Sequence, residues 1–156
     1  MDSARPAEPS DLAAVVELAR EARAELAPMR GGAMWARREA RPALDEEIYA
    51  ALLDRSDVHV VVGLIDDVVV GFGVVTTEDL HDGRRLGVVP ELFVTERARA
   101  VGVGEQMLEL IVQWCADQGC IGVDTLALPG HRATKNFFEQ SGFTARAIIM
   151  HRSLDE

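Results

Sequence analysis

Two arginines and two glycines stand close together in the stretch RARAVGVG, residues 97–104. The apolar run after it, MLELIVQWC, has helical spacing, so the stretch lies at a predicted helix N-terminus. Backbone N–H groups there have no partner within the helix and favour a bound anion. Gly102 and Gly104 open the backbone to close approach, while Arg97 and Arg99 can add charge-assisted hydrogen bonds. The combination suits a pyrophosphate; a tight turn with solvated arginines is the simpler interpretation.

Two other phosphate-binding motifs do not fit these letters. A dinucleotide-binding GxGxxG motif would need glycine where Met107 stands, and a phosphate loop would need lysine where Glu105 follows Gly104. The formal net charge of −10 argues against a general nucleic-acid binder, which needs a basic face. The expected ligand is therefore a small anion held by local geometry.

The elements that must position this turn follow from hydrophobic spacing. Helices are predicted at 10–27 and 43–55, with a loop at 28–42 between them. Strands are predicted at 57–65 and 68–77, joined by a tight turn at Asp66-Asp67, and at 84–95, where Pro90 predicts a bulge because it lacks an N–H. The remaining elements are a helix at 104–119, a strand at 122–130, a helix at 131–142 and a final strand at 143–154.

This order predicts an α/β (α+β) fold. Tight turns make the first three strands antiparallel, and the long crossover between residues 86 and 128 makes its two strands parallel. We therefore expect one domain over 1–156, with a mixed, mostly antiparallel sheet, one parallel strand–helix–strand crossover and helices on both faces. Ligands bind beyond the carboxyl ends of parallel strands, and residue 94 is such an end.

Other residues exclude several classes of protein. Cys115 and Cys120 have neither a disulfide nor a zinc spacing, so we expect small buried hydrophobes. The four histidines are scattered and predict no metal site. The N-terminal letters contain no secretory signal, and no apolar run reaches the length of a membrane span. These features predict a cytoplasmic protein with no membrane or nucleic-acid partner.

Two motifs carry a resemblance to a known family. ELFVTERARAVGVGEQML resembles the acetyl-CoA signature of the GNAT superfamily of N-acetyltransferases, Arg/Gln-x-x-Gly-x-Gly/Ala, which reads Arg99 to Gly104 here. HRATKNFFEQSGF is similar to the family's second motif through Phe137, Glu139, Gly142 and Phe143. ARPAEPSDLAAVV also resembles the family's short first strand and capped first helix. The resemblance spans nearly the whole chain and implies the GNAT-like fold.

The resemblance implies acetyl-CoA as the cosubstrate, with no metal. The main chain of Leu92, Phe93 and Val94 would bind the pantetheine arm, and N–H groups in the following turn would hold the pyrophosphate. The cofactor-binding residues implied after the strand are Arg99, Ala100, Val101, Gly102, Val103, Gly104, Glu105, His131 and Phe138.

The implied reaction is direct attack of a primary amine, from a small molecule or a peptide, on the acetyl thioester. The backbone N–H of Val94 would hold the developing oxyanion. The family's usual tyrosine acid is replaced by Phe138, and its usual asparagine by His131, which with Thr134 shares a predicted helix face. His131 is the candidate acid, or else a helix-start residue that touches CoA or solvent. Glu91 is the candidate base, acting directly or through water, or else an ordinary surface charge.

Acceptor recognition in this family usually falls to the first two helices and their connection. That connection contains Trp35 among arginines, which suits an acidic or aromatic acceptor, unless Trp35 packs into the core and the segment is a solvated lid. Tyr49, on the second helix, is expected to be structural. Relatives are often dimers, so a homodimer is a candidate assembly. The loss of a tyrosine at Phe138 also keeps open a non-catalytic acyl-CoA-binding module. The segment's candidate acceptor residues are Arg30, Met34, Trp35, Arg37 and Arg38.

Overall fold

Five strands form one mixed sheet in the computed structural model, which describes residues 1–99 and 102–155. They lie side by side in chain order, antiparallel from the first to the fourth, whereas the fourth and fifth run parallel. The predicted fold class is therefore confirmed. The strands are β1 (Asp2–Pro6), β2 (Val58–Ile65), β3 (Val68–Asp79), β4 (Arg85–Val94) and β5 (Cys120–Thr125).

Helices cover both faces of this sheet. The first and third pack on one face, where Val15, Tyr49 and Phe72 belong to one buried core. The fourth packs on the other face, where Met107 and Ile111 are fully buried. Burial of such large side chains is the main favourable contribution to folding. The helices are α1 (Leu12–Leu26), α2 (Gly32–Arg38), α3 (Glu46–Leu53), α4 (Val103–Asp117) and α5 (Arg132–Gln140).

The turn predicted at Asp66-Asp67 and the bulge predicted at Pro90 are both present. Asp66 and Asp67 both adopt left-handed backbone angles, with φ of 48° and 69°, and close the tight turn between β2 and β3. In the β3–β4 pair, Val74 lies opposite Glu91 and Thr76 opposite Val88, which leaves one extra residue on the β4 side. The bulge expected at Pro90 is thus confirmed.

The N-terminal elements differ in detail from those that periodicity predicts. β1, which the family resemblance implied, precedes a 3₁₀ turn at Pro9–Asp11, so α1 begins at Leu12. The carboxylate of Asp11 accepts a hydrogen bond from the Glu8 N–H (2.8 Å) and pairs with Arg5 (2.7 Å), which ties β1 to the start of α1. The predicted loop at 28–42 contains α2, which begins after Gly31 in a left-handed conformation. α3 is also shorter than the predicted helix at 43–55.

The final strand predicted at 143–154 is wrong. Residues 143–155 form no helix or strand, and Ile148, Ile149 and Met150 are 80, 71 and 86% exposed. A strand needs a neighbour to satisfy its backbone hydrogen bonds, and this segment has none among the residues that the structure describes. β5 therefore forms an edge of the sheet, paired with β4 on one side.

Among the described residues, no helix has the length and apolar character that crossing a membrane requires.

Candidate functional site

The outer edge of β4 over residues 90–94, beyond its pairing with β5, has no strand partner among the described residues, and we call this edge, between β4 and β5, the slot. Their pairing ends at Val89 opposite Thr125, yet β4 continues to Val94 while still paired with β3. The Thr95 N–H donates to Val70 O on β3 (2.9 Å), and Val94 O accepts from Arg99 Nε (2.8 Å) on the other edge. Successive residues in a strand direct their main-chain groups to alternate edges. The N–H of Val94 therefore points into the slot.

The same alternation sorts the three residues expected to bind a pantetheine arm. Leu92, two residues before Val94, also turns its N–H and C=O toward the slot. Phe93 turns its main chain toward β3, where it lies opposite Phe72, and its side chain is buried. The strand thus offers the slot main-chain groups at two of the three predicted positions.

The N-terminus of α4 lies just beyond the carboxyl end of β4. Gly102, the N-cap residue, precedes the helix with φ of 86° and has no side chain with which to cap the first turn. The first intrahelical bond runs from Gln106 N to Gly102 O (3.2 Å), so the N–H groups of Val103, Gly104 and Glu105 have no helical partner. These are the donors predicted to hold a diphosphate. The predicted Ala100 and Val101 lie outside the described residues.

Two side chains border this helix end. A Cβ atom at Gly104 would lie 3.4 Å from the ring of Phe137 on α5, so this glycine also lets α5 approach α4. A Cβ atom at Gly102 would lie 3.0 Å from Asp2 Oδ2, a carboxylate that Gln106 Nε2 holds at 2.8 Å. The helix end therefore has an acidic neighbour on the β1 side, which the sequence interpretation did not include.

Arg99 connects the strand end to α1. Besides the bond to Val94 O, its Nη2 donates to both carboxylate oxygens of Glu25, at 2.8 and 3.0 Å. Its guanidinium also lies over the Phe93 ring, 5.1 Å from the centroid. Arg97 is exposed. The Arg99 side chain, although 36% exposed, is held at the edge of the slot by these contacts.

His131 joins the same cluster from the start of α5. Its Nδ1 lies 2.7 Å from Thr134 Oγ1, and its Nε2 lies 3.5 Å from Glu25 Oε2. Burial lowers the pKa of His131 below its usual value; the nearby Glu25 opposes this shift, and Arg99 adds to it. His131 and Thr134 thus share a face as predicted, and the lowered pKa favours the neutral ring.

Phe138 is part of the packing of α5. It is 5% exposed, with ring centroids of Phe137 and Phe143 both 5.3 Å away. The residue where relatives usually carry a tyrosine is therefore an apolar anchor for its helix.

Glu91 projects from the β4 bulge on the face covered by α1 and α3. One oxygen accepts from Arg41 Nε (2.5 Å), and the other accepts from the Tyr49 hydroxyl. Tyr49 is fully buried, packs edge-to-face on Phe72, and carries the Arg41 guanidinium 5.5 Å from its ring centroid. Burial raises the pKa of Tyr49, and Glu91 raises it further, so the hydroxyl stays protonated. Glu91 is thus held by the buried Tyr49 and the half-buried Arg41, unlike an ordinary surface charge.

The α1–α3 connection lies against the loop that precedes α5. A Cβ atom at Gly31 would lie 3.2 Å from Pro129, and one at Gly130 would lie 2.8 Å from Arg30 N. Trp35 is half-buried. The segment predicted to recognise an acceptor is therefore adjacent to the loop that carries His131. Its exposed members are Arg30, Met34, Arg37 and Arg38.

Two further features of the surface bear on the site. A groove of about 900 Å³ runs between α4 and α5, and its lining includes Glu105 and Phe137 but neither Val94 nor His131. It adjoins the helix end and not the strand end.

Within residues 1–99 and 102–155, no group of three or more His, Cys, Asp or Glu side chains is placed to hold a metal ion. Cys115 is buried and Cys120 half-buried, both as free thiols.

Sequence reasoning missed two partners in these clusters, Glu25 and Arg41. Glu25 is 74 residues from Arg99, and Arg41 is 50 residues from Glu91. No local spacing links such positions. The one available signal is that Glu21 and Glu25 lie four residues apart on α1, where they face the same side, and both bond to the turn after β4.

Comparisons with known proteins agree with this geometry. A model of the acetyltransferase (GNAT) family matches residues 14–143. A sequence search among curated proteins finds no match.

Solved structures with the same fold cover nearly the whole chain. Glucosamine-6-phosphate N-acetyltransferase from Arabidopsis thaliana is 18% identical over 99% of both chains, with a TM-score of 0.73. An aminoglycoside acetyltransferase from an uncultured soil metagenomic sample is 18% identical over 99% of this chain and 96% of its own, with a TM-score of 0.73. A mutant of the BH1408 protein from Bacillus halodurans is 17% identical over 97% of this chain and 98% of its own, with a TM-score of 0.81. At these identities the likeness shows the fold.

Proposed function

The chain belongs to the GNAT acetyltransferase family and is by that membership an N-acetyltransferase; from this premise we propose that it transfers an acetyl group from acetyl-CoA to a primary amine of a small molecule or a peptide. The observation that supports the cosubstrate is the slot along β4, whose carboxyl end adjoins the N-terminus of α4. The predicted cytoplasmic location, single domain and lack of membrane and nucleic-acid partners stay predictions from sequence.

The residues around the slot fit acetyl-CoA. The N–H groups of Val103, Gly104 and Glu105, which have no acceptor within the helix, suit a diphosphate, and the main chain of Leu92 and Val94 suits the amide groups of a pantetheine arm. Bound acetyl-CoA supplies an acetyl thioester that an amine can attack. In our proposal the Arg99 side chain keeps the turn after β4 in position through Val94 and Glu25.

The backbone N–H of Val94 is the proposed oxyanion donor. It points into the slot at the end of β4, and its strand is fixed on the opposite edge by pairing with β3. A fixed donor costs no reorganisation when negative charge develops on the acyl oxygen. Removal of one such donor in other acyl-transfer enzymes costs about 2.7–4 kcal/mol of transition-state stabilisation.

Glu91 is the proposed base for the acceptor amine. A carboxylate offers about four lone-pair sites, so the two bonds from Arg41 and Tyr49 leave capacity for an ammonium group or a water. The Arg41 and Tyr49 side chains fix its orientation, as a base must be held within reach of the proton that it accepts. The Glu91 carboxylate lies on the α1–α3 face, toward the segment predicted to recognise the acceptor.

His131 has a smaller role in this proposal. A histidine whose pKa is lowered by burial is neutral at pH 7, so it does not donate a proton readily from a charged form. Its contacts with Thr134 and Glu25 instead suit a residue that shapes the cofactor end of the slot. A CoA thiolate can leave without a protein acid, which is consistent with the apolar Phe138.

The acceptor class is proposed from the relatives and from charge. The neighbouring structures include an enzyme named for glucosamine-6-phosphate and one named for aminoglycosides, so amino sugars are the first acceptors to test. Exposed Arg30, Arg37 and Arg38 favour an acceptor that also carries an acidic group. The buried Phe138 also favours, as a second candidate, a module that binds acyl-CoA without catalysis.

Ligand-dependent melting tests the cofactor site. Acetyl-CoA at 100 times its Kd should stabilise the wild-type chain by about 2.7 kcal/mol. Gly104→Glu should remove this stabilisation, because its side chain and charge would meet Phe137 and the proposed phosphate position. Ala116→Glu adds the same charge near the other end of α4 and should keep it. Equal stabilisation of the Gly104→Glu chain would refute this placement, provided that the variant still melts cooperatively without ligand.

An acceptor screen then tests the reaction. Release of free thiol from acetyl-CoA is measured with amino sugars, aminoglycosides and peptide amines as acceptors. Amine-dependent thiol release supports the transferase. Stabilisation by acetyl-CoA, with no release of thiol from acetyl-CoA in the presence of any of these acceptors, supports the non-catalytic module instead.

A further inference from the structure

Two arginine side chains lie beside the proposed base, and the protein balances the charge of one of them. Arg41 Nε donates to Glu91 (2.5 Å), and Arg23 Nη2 donates to the main-chain oxygen of Arg41. We call Arg23 and Arg41 the arginine pair. Among the described residues, no carboxylate lies within ion-pair distance of Arg23. Two guanidinium charges against the one carboxylate of Glu91 leave the cluster with an excess of one positive charge.

Burial makes an unbalanced cation unfavourable at this place. Arg23 is half-buried, and its Nε is shielded from solvent without a hydrogen-bond partner in the described part of the chain. The Arg41 side chain is 24% exposed, and its two Nη groups donate to no described residue. Charges removed from water are stable when a group of opposite sign satisfies them. An anion on a bound molecule is the partner of opposite sign that this cluster lacks.

A neighbouring arginine on the same helix shows how an arginine is satisfied at the surface. Arg20 lies three residues before Arg23 on α1, donates to Leu44 O (3.3 Å) and pairs with Glu17 (3.1 Å). Its side chain is 57% exposed. Arg20 and Arg23 therefore both donate to a main-chain oxygen of the connection between α2 and α3, but Arg20 also has a carboxylate partner and water. The open position at Arg23 is thus not common to the arginines of α1.

Arg41 brings the missing anion close to the proposed base. Its Nε is bonded to Glu91, and its Nη groups belong to the same planar guanidinium. Guanidinium groups bind the oxygens of carboxylates and phosphates in pairs, with a fixed geometry. An amine on Glu91 and an anion on the Nη groups would therefore lie around one rigid group, which suits a ligand whose two charged groups are a few bonds apart.

We infer that the arginine pair binds an anionic group of the acceptor, and that the acceptor is a short amino acid or another small amine with its carboxylate or phosphate a few bonds from the amine. The inference rests on the proposed function, because it places the amine on Glu91. Arg41 bridges the base and the anion, and Arg23 supplies the second positive charge. Both arginines stay charged throughout, so they select and orient the acceptor and exchange no proton with it. A polycationic aminoglycoside is a poor acceptor at such a site.

Selectivity between matched amines tests this inference. Thiol release from acetyl-CoA is measured with β-alanine and its neutral amide, and with glucosamine 6-phosphate and glucosamine. For at least one of these pairs, the wild-type kcat/KM should be about tenfold or more higher with the anionic amine, since hydrogen bonds to charged groups contribute that much. The first pair of amines isolates a carboxylate and the second a phosphate, so the pair that shows the preference identifies the anion.

Arg23→Gln separates recognition from structure. The change removes one charge of the arginine pair and leaves the bonds of Glu91 to Arg41 and Tyr49 in place. The preference should therefore fall toward one, through a higher KM for the anionic amine. Damage to the fold alone would lower the rates with both amines of a pair and keep their ratio. The matched control Arg20→Gln removes an arginine that bonds the same connection, and it should keep the wild-type preference.

Two results would overturn this inference alone. The first is a wild-type chain that releases thiol as fast with both neutral amines as with their anionic counterparts, which requires no variant to fold. The second is a preference that survives Arg23→Gln; its loss in Arg37→Gln/Arg38→Gln would then place the anion on the exposed arginines of α2. Absence of thiol release with every amine is a different result, because it would refute the proposed transfer reaction and this inference together.

Discussion

Two carboxylates flank the slot with nearly equal exposure but with different surroundings. The Glu91 side chain is 18% exposed and bonds to Arg41 and to the fully buried Tyr49, so the core of the protein holds it. The Glu25 side chain is 21% exposed and bonds to Arg99, which is itself 36% exposed, with His131 farther away. The comparison shows that exposure alone does not assign a role. Glu91 is fixed on the α1–α3 face, where we propose that the acceptor binds, whereas Glu25 bonds to the turn after β4, where we propose that the cofactor binds.

The change with the largest expected effect is Glu91→Gln. If Glu91 is the base, the amide cannot accept the amine proton, and kcat should fall by about 10²–10⁴, the usual contribution of general base catalysis. The acetyl-CoA Kd should stay within about threefold, because the proposed cofactor donors are main-chain N–H groups that this side-chain change leaves in place. Steady-state kinetics and a binding titration measure both quantities. A wild-type kcat in this variant would show that Glu91 is not the base.

Tyr49→Phe should have the next largest effect, and mainly on stability. The change removes the hydroxyl that bonds Glu91 but keeps the buried ring against Phe72. Loss of a hydrogen bond to a charged group costs about 1.5–3 kcal/mol of unfolding free energy. Urea unfolding measures this loss. Phe72→Leu is the control, since it removes the ring contact and leaves the Tyr49–Glu91 bond. Unchanged stability in Tyr49→Phe would show that the bond contributes little.

Glu25→Gln should have a smaller effect than either change near Glu91. Its partner Arg99 is more than a third exposed, and ion pairs with exposed partners contribute about 0.2–1 kcal/mol. The unfolding free energy should fall within that range, and kcat with saturating acetyl-CoA should remain near the wild-type value. A kcat loss like that expected of Glu91→Gln would reverse the roles given to the two carboxylates.

Local sequence signals predicted the turn and the bulge of the sheet that carries Glu91. The Asp66-Asp67 turn and the bulge at Pro90 follow from single residues, one pair that tolerates left-handed angles and one residue that lacks an N–H. The bulge carries Glu91 to the α1–α3 face, so its position was within reach of the sequence. Its partner Arg41 was not, because the contact spans 50 residues and arises only when the sheet and helices assemble.

The prediction of a last strand at 143–154 was wrong although its local signal was sound. Its β-branched composition was interpreted correctly as strand-forming, but a strand is defined by a neighbour, and the single chain supplies none. Helix α2 was predicted as a loop because Gly31 and Gly32 usually interrupt helices. In the structure, Gly31 instead supplies the left-handed residue that precedes the helix. Composition therefore predicts which conformation a segment favours, and tertiary or quaternary contacts decide whether it forms.

The smallest expected effect is the pH dependence contributed by His131, the neighbour of Glu25. Burial lowers the pKa of His131 in the folded state below its ordinary value of 6.5, so the unfolded chain binds the proton more readily. Stability from the neutral ring is therefore complete above about pH 6.5 and is lost as the pH falls toward the lower, folded-state pKa. His131→Asn should remove this loss from the unfolding free energy measured between pH 7 and pH 5.

His59, whose pKa burial also lowers, remains in both chains, so its contribution cancels in the difference between wild type and the His131→Asn variant. A wild-type chain that gained stability relative to the variant on acidification would mean that Glu25 holds a protonated His131. Glu25 would then hold a charged partner in His131, as Glu91 does in Arg41, and the two carboxylates would differ less than their contacts indicate. It would also restore His131 as a proton donor, because a ring charged at neutral pH has a proton to give to the leaving thiolate.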